Sequence, residues 1–243
     1  MQQLLVFPEH EAAGLLFIAE KPYSLDDTQI EWLCEASGEI TLPTCEYIGI
    51  VFNHNVAVRR EVLSKLDPST IQLVYFHNPF ELVFDELIED LFELGRDEND
   101  DSSANDQDCE LLASIHGLRA LNISRSQISS KGLAFICELQ SLESLSLSLT
   151  RTNDEDLPML LNLIDLRELD LSMTMITDRG LATLAKMNKL QDLSLSACSL
   201  TDDALDELLK IPNLRFLDIS DTAISDEGLS ILQAGLSACQ IQF

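Results

Sequence analysis

Positive charge is what this chain has least of. Its 243 residues hold 15 Lys and Arg against 42 Asp and Glu, a formal net charge of −27. Such a surface repels phosphate backbones and anionic lipid, so nucleic acid and membranes are not expected partners and a protein with a basic surface is. Glycine is scarce as well, at 9 residues, and none forms the G-x-x-x-x-G-K-[ST] or G-x-G-x-x-G loops that cradle phosphates. The G-x-S-x-G elbow and the H-E-x-x-H zinc helix are also missing.

The four histidines, His10, His54, His77 and His116, stand apart from one another. His54 and His77 each follow a predicted strand and could converge in space, but no cysteine or carboxylate lies beside them at close ligand spacing. No metal or cofactor is therefore expected. Cys34, Cys45, Cys109, Cys137, Cys198 and Cys239 include no C-x-x-C pair. Scattered thiols of this kind pack as small hydrophobes in a reducing compartment. The longest apolar run, "GLLFIA", is far too short to span a bilayer, and "MQQLLVFPEHEAAG" lacks the basic start and long apolar core of a secretory signal. A soluble, cytoplasmic protein is the expectation.

What the chain does have is a period. Leu118, Leu142, Leu166, Leu190 and Leu214 are each 24 residues apart, and internal repeats decide a fold before any local reading does. Seven apolar columns, at offsets 0, 3, 5, 10, 15, 18 and 21 from those leucines, are filled in every unit except at Thr152 and Gly235. Within a unit the spacing changes. Leu169 and Leu171 share one face of a strand, whereas Leu181, Leu184 and Met187 follow at helical spacing. Between the two lies a helix start with Ser129, Asn153, Thr177, Thr201 or Ser225 at the N-cap, followed by aspartate in four of the five units. Gly132, Gly180 and Gly228, with Ala204, keep that turn slim.

These columns resemble the leucine-rich repeat family over residues 118–243, in the 24-residue class with threonine at the ladder position, here Thr150, Thr174 and Thr222, with Ser126 and Cys198 as substitutes. The resemblance implies an α/β solenoid, with parallel strands on a concave side and short helices on a convex one. It also implies a ladder side chain that points inward to hydrogen-bond the loop backbone. The third unit, "SLTRTNDEDLPML", departs through Thr152 and Pro158, so a regular helix is not expected there.

A single unit cannot bury its apolar face, so neighbours must stack on it. At the far end, Ala238, Ile241 and Phe243 fall in the strand columns with no polar closing segment after them. A homo-oligomer through this C-terminal edge, or a fold-back of Ile241 and Phe243, would cover it. In the amino-terminal part, residues 1–95, "LLVF", "LLFIA", "YIGIVF" and "IQLVYF" read as strands that alternate with helical patterns at roughly 24–36, 55–66 and 79–95. Ile48 and Ile71, like Ile50 and Leu73, lie 23 apart. Degenerate repeats and a small α/β cap both fit. Residues 79–95, "PFELVFDELIEDLFELG", form an acidic amphipathic pattern. After it, the strongly acidic stretch 96–107 lacks apolar bulk and predicts a mobile loop. The repeat domain proper is then 108–243.

Stacking would align the outward strand residues into columns. Glu168, Asp170, Asp192 and Asp218 surround Phe216 on the predicted concave face, as charges around an aromatic anchor. The expectation is a non-enzymatic scaffold for protein binding that takes a basic partner through these five residues. Two alternatives stay open: an enzyme or ligand-binding module in residues 1–95 with the repeats as targeting arm, and a self-assembling structural protein.

Overall fold

The computed structural model describes residues 4–7, 14–19, 30–35, 37, 39–41, 47–52, 56–66, 71–76 and 103–243. Its strands are β1 (Leu4–Val6), β2 (Gly14–Ala19), β3 (Ile30–Glu35), β4 (Glu39–Thr41), β5 (Tyr47–Phe52), β6 (Leu73–Tyr75), β7 (Ala120–Asn122), β8 (Ser144–Ser146), β9 (Glu168–Asp170), β10 (Asp192–Ser194), β11 (Phe216–Asp218) and β12 (Gln240–Gln242). Ten of them form one open sheet, in the order β12-β11-β10-β9-β8-β7-β6-β5-β2-β3, and β1 pairs with β4 apart from it. From β5 to β12 every pairing is parallel, while β2 runs antiparallel to both β5 and β3.

The 24-residue period sets the register. Leu121, Leu145, Leu169, Leu193, Leu217 and Ile241 sit side by side on neighbouring strands. With the second strand leucine and the helical columns behind them, they fill one continuous core, in which Leu145, Leu169, Leu193 and Leu217 are 0–2 % exposed. Strands of three residues suffice because each is paired on both sides and its leucine is covered by two neighbours. Ile241 is partly buried against this core, and Phe243 stands half exposed.

The same period runs on into the amino-terminal part, but the spacing there is 24 and not the 23 read from sequence. Gly49 pairs with Leu73, and Ile50 with Val74. One residue of slip exchanges the faces of a strand. Ile50 and Val74 therefore point into the main core, whereas Leu73 joins Val51, Tyr75 and Ala120 in a second cluster on the opposite face. β5 and β6 thus continue the parallel stack, and β2 and β3 close its end by antiparallel pairing. The helix expected at 55–66 is Val56–Lys65, but within 24–36 Ile30–Glu35 is a strand, as the alternation of Ile30, Trp32 and Cys34 allows, and the pattern at 79–95 lies outside the described residues.

The five expected cap residues are in place. Ser129, Asn153, Thr177, Thr201 and Ser225 each accept a backbone N–H from the turn that follows. The aspartate after the cap has a further role. Asp106, Asp154, Asp178 and Asp202 each accept from both the amide and the hydroxyl of the cap residue one unit later, Ser129, Thr177, Thr201 and Ser225 respectively. This explains the glycines. A Cβ at Gly132, Gly180 or Gly228 would run into the carboxylate of Asp106, Asp154 or Asp202.

The ladder hydroxyls of Thr150, Thr174 and Thr222 donate to the carbonyls of Leu147, Leu171 and Ile219 within their own loops. Cys198 Sγ reaches the Leu171 carbonyl at 3.1 Å. In the third unit the buried Thr152 hydroxyl pairs with Thr150 at 2.8 Å, which satisfies a polar group in an apolar column. The helix there, Leu157–Leu160, has Pro158 in its first turn and is as long as Leu181–Leu184 and Leu205–Leu208, but it lacks the 3-10 turn that precedes those two.

The mobile loop expected at 96–107 lies outside the described residues up to 102; at 103–107 the chain is built in instead. Ala104 is fully buried, and Asn105 opens the helix Asp106–Leu112 with a capping box to Asp108. Asp108 is fully buried and binds Arg59 and Arg60 of the helix Val56–Lys65. Two arginines and a capping amide make burial of this acid tolerable, which its acidic surroundings in sequence concealed.

Candidate binding surface

Residues alternating with the buried leucines face the concave side, as the pleat requires. Its amino-terminal part is closed. Val51, Leu73, Tyr75 and Ala120 are at most 3 % exposed, and Asn122 is also buried. The open part runs from β8 to β12.

All five candidate residues lie on this open part, in two columns. Glu168, Asp192 and Phe216 are successive partners in one, and Asp170 and Asp218 flank Ser194 in the other. The two columns differ in what they leave free. Asp170 Oδ1 accepts from the Ser172 amide and hydroxyl, and its Oδ2 from Ser146; Asp218 Oδ1 holds Ser220 in the same way. Ser172 also shares a hydrogen bond with Ser194. These acids turn the strand into its loop, and the serine column is their counterpart. Asn122 does the same for Ser124.

Glu168 and Asp192 are less committed. Burial, then the nearby Asp192 and Glu143, push the Glu168 carboxyl up to about 8, against a hydrogen bond from Ser144. Burial also raises Asp192, with Arg215 acting against it. Tyr75 is raised in turn by its burial and by Glu168. Phe216, expected to stand exposed, is half-buried, with Asp192 and Gln240 as its neighbours in the column.

Sequence reasoning missed the margin of this face. Arg119, Glu143, Arg167 and Arg215 share one column where the strands begin. Arg119 Nη1 meets Glu143 Oε1 at 2.5 Å, and Arg167 Nε lies 3.5 Å from Glu143 Oε2. Opposite charges 24 residues apart were the available signal. His116 is exposed, whereas His54 and His77 lie outside the described residues. Among the described residues no His, Cys, Asp or Glu cluster is arranged to hold a metal, and no helix is long and apolar enough to cross a membrane.

An open sheet of parallel strands backed by short helices, repeated every 24 residues, defines an α/β solenoid. Residues 116–137, 163–185 and 210–232 match the family model described as Leucine Rich repeat. The chain therefore carries a leucine-rich repeat region. Among solved structures it is similar to an internalin C2 from Listeria monocytogenes str. 4b F2365, at 18% identity over 80% of this chain and 78% of that chain, with a TM-score of 0.48. A search of curated proteins finds no match.

Proposed function

We propose that this chain is a non-enzymatic protein–protein interaction module that holds a basic protein partner against the open half of its concave face. Solenoids of stacked units offer extended concave surfaces for such contacts. The observation that carries the reading is the register that sets Glu168, Asp192 and Phe216 side by side, each partly exposed, on the concave face. In this reading Phe216 is the apolar anchor, Asp192 is the charge that meets the partner, Glu168 is a carboxyl that releases its proton to join it, and Asp170 and Asp218 add to the field while holding their loops. The free, buried thiols of Cys109, Cys137 and Cys198 support a reducing, cytoplasmic setting.

Affinity capture from native lysate, at low and high salt, with wild type, Asp192→Lys and Phe216→Ala, tests it. A basic protein should be retained at low salt, lost with Asp192→Lys and released faster from Phe216→Ala, at a cost of ~2 kcal/mol or more. Equal retention by all three chains would overturn the proposal.

A further inference from the structure

The junction between the units that start at Leu118 and Leu142 differs from its neighbours on one side only. Its concave side is intact. β7 pairs with β8, the Ile123 amide donates to Ser146 and the Arg125 amide to Ser148, as the matching amides do further along the stack.

The other side is open. The amides of Gln127, Met175, Ser199 and Ala223 each donate to the unit before, at Ala104, Thr152, Ile176 and Leu200, but the equivalent bond from Arg151 to Ile128 is not made. The passage of a carboxylate to the next cap stops at the same level, because Ser130 stands in the column of Asp106, Asp154, Asp178 and Asp202. The Asn153 amide turns instead to Asp156 of its own unit. One crossing bond is left there, from Ser130 Oγ to Asp156 Oδ1 at 2.6 Å.

Two separate ladders are thus interrupted at one level, and space opens between them. A cavity of about 310 Å³ lies in the gap, with Ile128, Ser129 and Leu133 on one lip and Arg151, Thr152 and Asn153 on the other. Thr152 stands where the other units have Ile128, Ile176, Leu200 and Ile224, and it turns to Thr150. Departures from a repeat that gather at one place mark function more often than regular units do.

A stack held along one edge and open along the other bends about the held edge, since close packing resists movement and a gap permits it. The place of this junction gives the bend a consequence. Ala120 and Asn122 of the closed half, and the buried contact of Arg59 with Asp108, lie before it. Glu168, Asp170, Asp192, Phe216 and Asp218 all lie after it.

We propose that this junction is a hinge. The units from Leu142 onward swing as one body about the pairing of β7 with β8, and the swing sets the angle between the open and closed halves of the concave face. The hinge stands on these contacts alone and holds whatever the concave face binds.

Hydrogen exchange and single-molecule energy transfer on the full chain test it. The Arg151 amide should exchange about tenfold or more faster than those of Met175, Ser199 and Ala223. Dyes on unnatural residues at Glu138 and Lys210 span the junction, whereas a pair at Asn162 and Ala234 lies the same three units apart beyond it; all four positions are exposed. The spanning pair should show the broader spread of distances. Ser130→Asp/Asp156→Gly, which restores the acceptor and the small residue of the regular junctions, should narrow that spread to the width of the second pair. Equal spreads for the two wild-type pairs overturn the proposal, and so does a spread unmoved in a folded Ser130→Asp/Asp156→Gly chain. If that variant does not fold, the wild-type pairs decide.

Discussion

Arg59 Nη2 and Asp108 Oδ2 meet at 2.9 Å with side chains only 1% and 0% exposed, which joins a helix of the amino-terminal part to the first helix of the regular repeats. Asp108 stands in the column occupied by Gly132, Gly180 and Gly228 further on, and by Asp156, whose buried carboxylate likewise takes the amide of its own cap residue, Asn153. Asp108 also takes the Asn105 amide and the Arg60 guanidinium, each at 3.1 Å, and Arg59 lies 4.9 Å above the Phe76 ring. Removing one partner leaves the other charge stranded in the core. Asp108→Ala should cost ~3–5 kcal/mol in urea unfolding, whereas replacing Arg59 and Asp108 together by Met and Leu should cost far less. A double variant as unstable as the single one would show that the pair itself is indispensable.

Leu169 and Leu193 lie at the centre of the strand ladder, 2% and 0% exposed. Leu169→Ala and Leu193→Ala should each lower stability by ~2–5 kcal/mol, because strands held on both sides relax little around a cavity. The urea midpoint reads this directly, and an unchanged midpoint would contradict the register.

Gly180 faces the Asp154 carboxylate and a Leu157 methyl. Gly180→Val should therefore push Asp154 off the Thr177 hydroxyl and destabilise the chain by ~1–3 kcal/mol, as other overpacked sites do. Ala204 occupies the same column and is fully buried, so Ala204→Val gives the comparison within a unit that already holds a methyl. Thermal midpoints of the two variants measure the difference.

Glu168 should make stability depend on pH in a direction unlike a salt-bridged acid. Its folded-state value, about 8, lies above the ordinary 4.5, so the folded chain holds this proton more tightly than the unfolded chain does. The contribution is full below about 4.5 and is lost as pH rises through 8. Glu168→Gln should flatten the fall in stability across that window, as followed by urea midpoints at several pH values. Asp192, Glu143 and Tyr75 face the same carboxyl. If Glu168 ionises to meet a basic partner, binding near pH 7 should also release a proton, which calorimetry in buffers of different ionisation enthalpy would detect.

Repetition made most of the solenoid legible. A column seen five times fixes the face of Leu169 and the cap at Thr177 without any structure. What single units carry was harder to read. Asn105 and Asp106 lie 24 residues before Ser129 and Ser130 and form a helix start, yet their acidic surroundings suggested a loop, because composition says nothing about a partner such as Arg59. In the same way the 23-residue echo of Ile50 in Leu73 compared two apolar residues without a second column to settle their faces. Asp170 looked free on the concave face because a hydrogen bond to a serine two residues ahead leaves no periodic trace distinct from a recognition column.

At four of the five junctions a carboxylate passes from one turn to the helix start of the next, which gives the solenoid a grain; at the fifth, Ser130 donates forward to Asp156 instead. A turn lost from the amino-terminal side takes away the acceptor on which its successor's first hydroxyl and amide depend. A turn lost from the carboxyl-terminal side leaves only an aspartate facing water, which solvates it well. Unzipping therefore runs more easily in one direction along the stack than in the other. The turn at the head of this chain of handovers, that of Asp106, is also the one pinned by the buried contact between Asp108 and Arg59, so the lock sits at the end from which the stack would otherwise come apart.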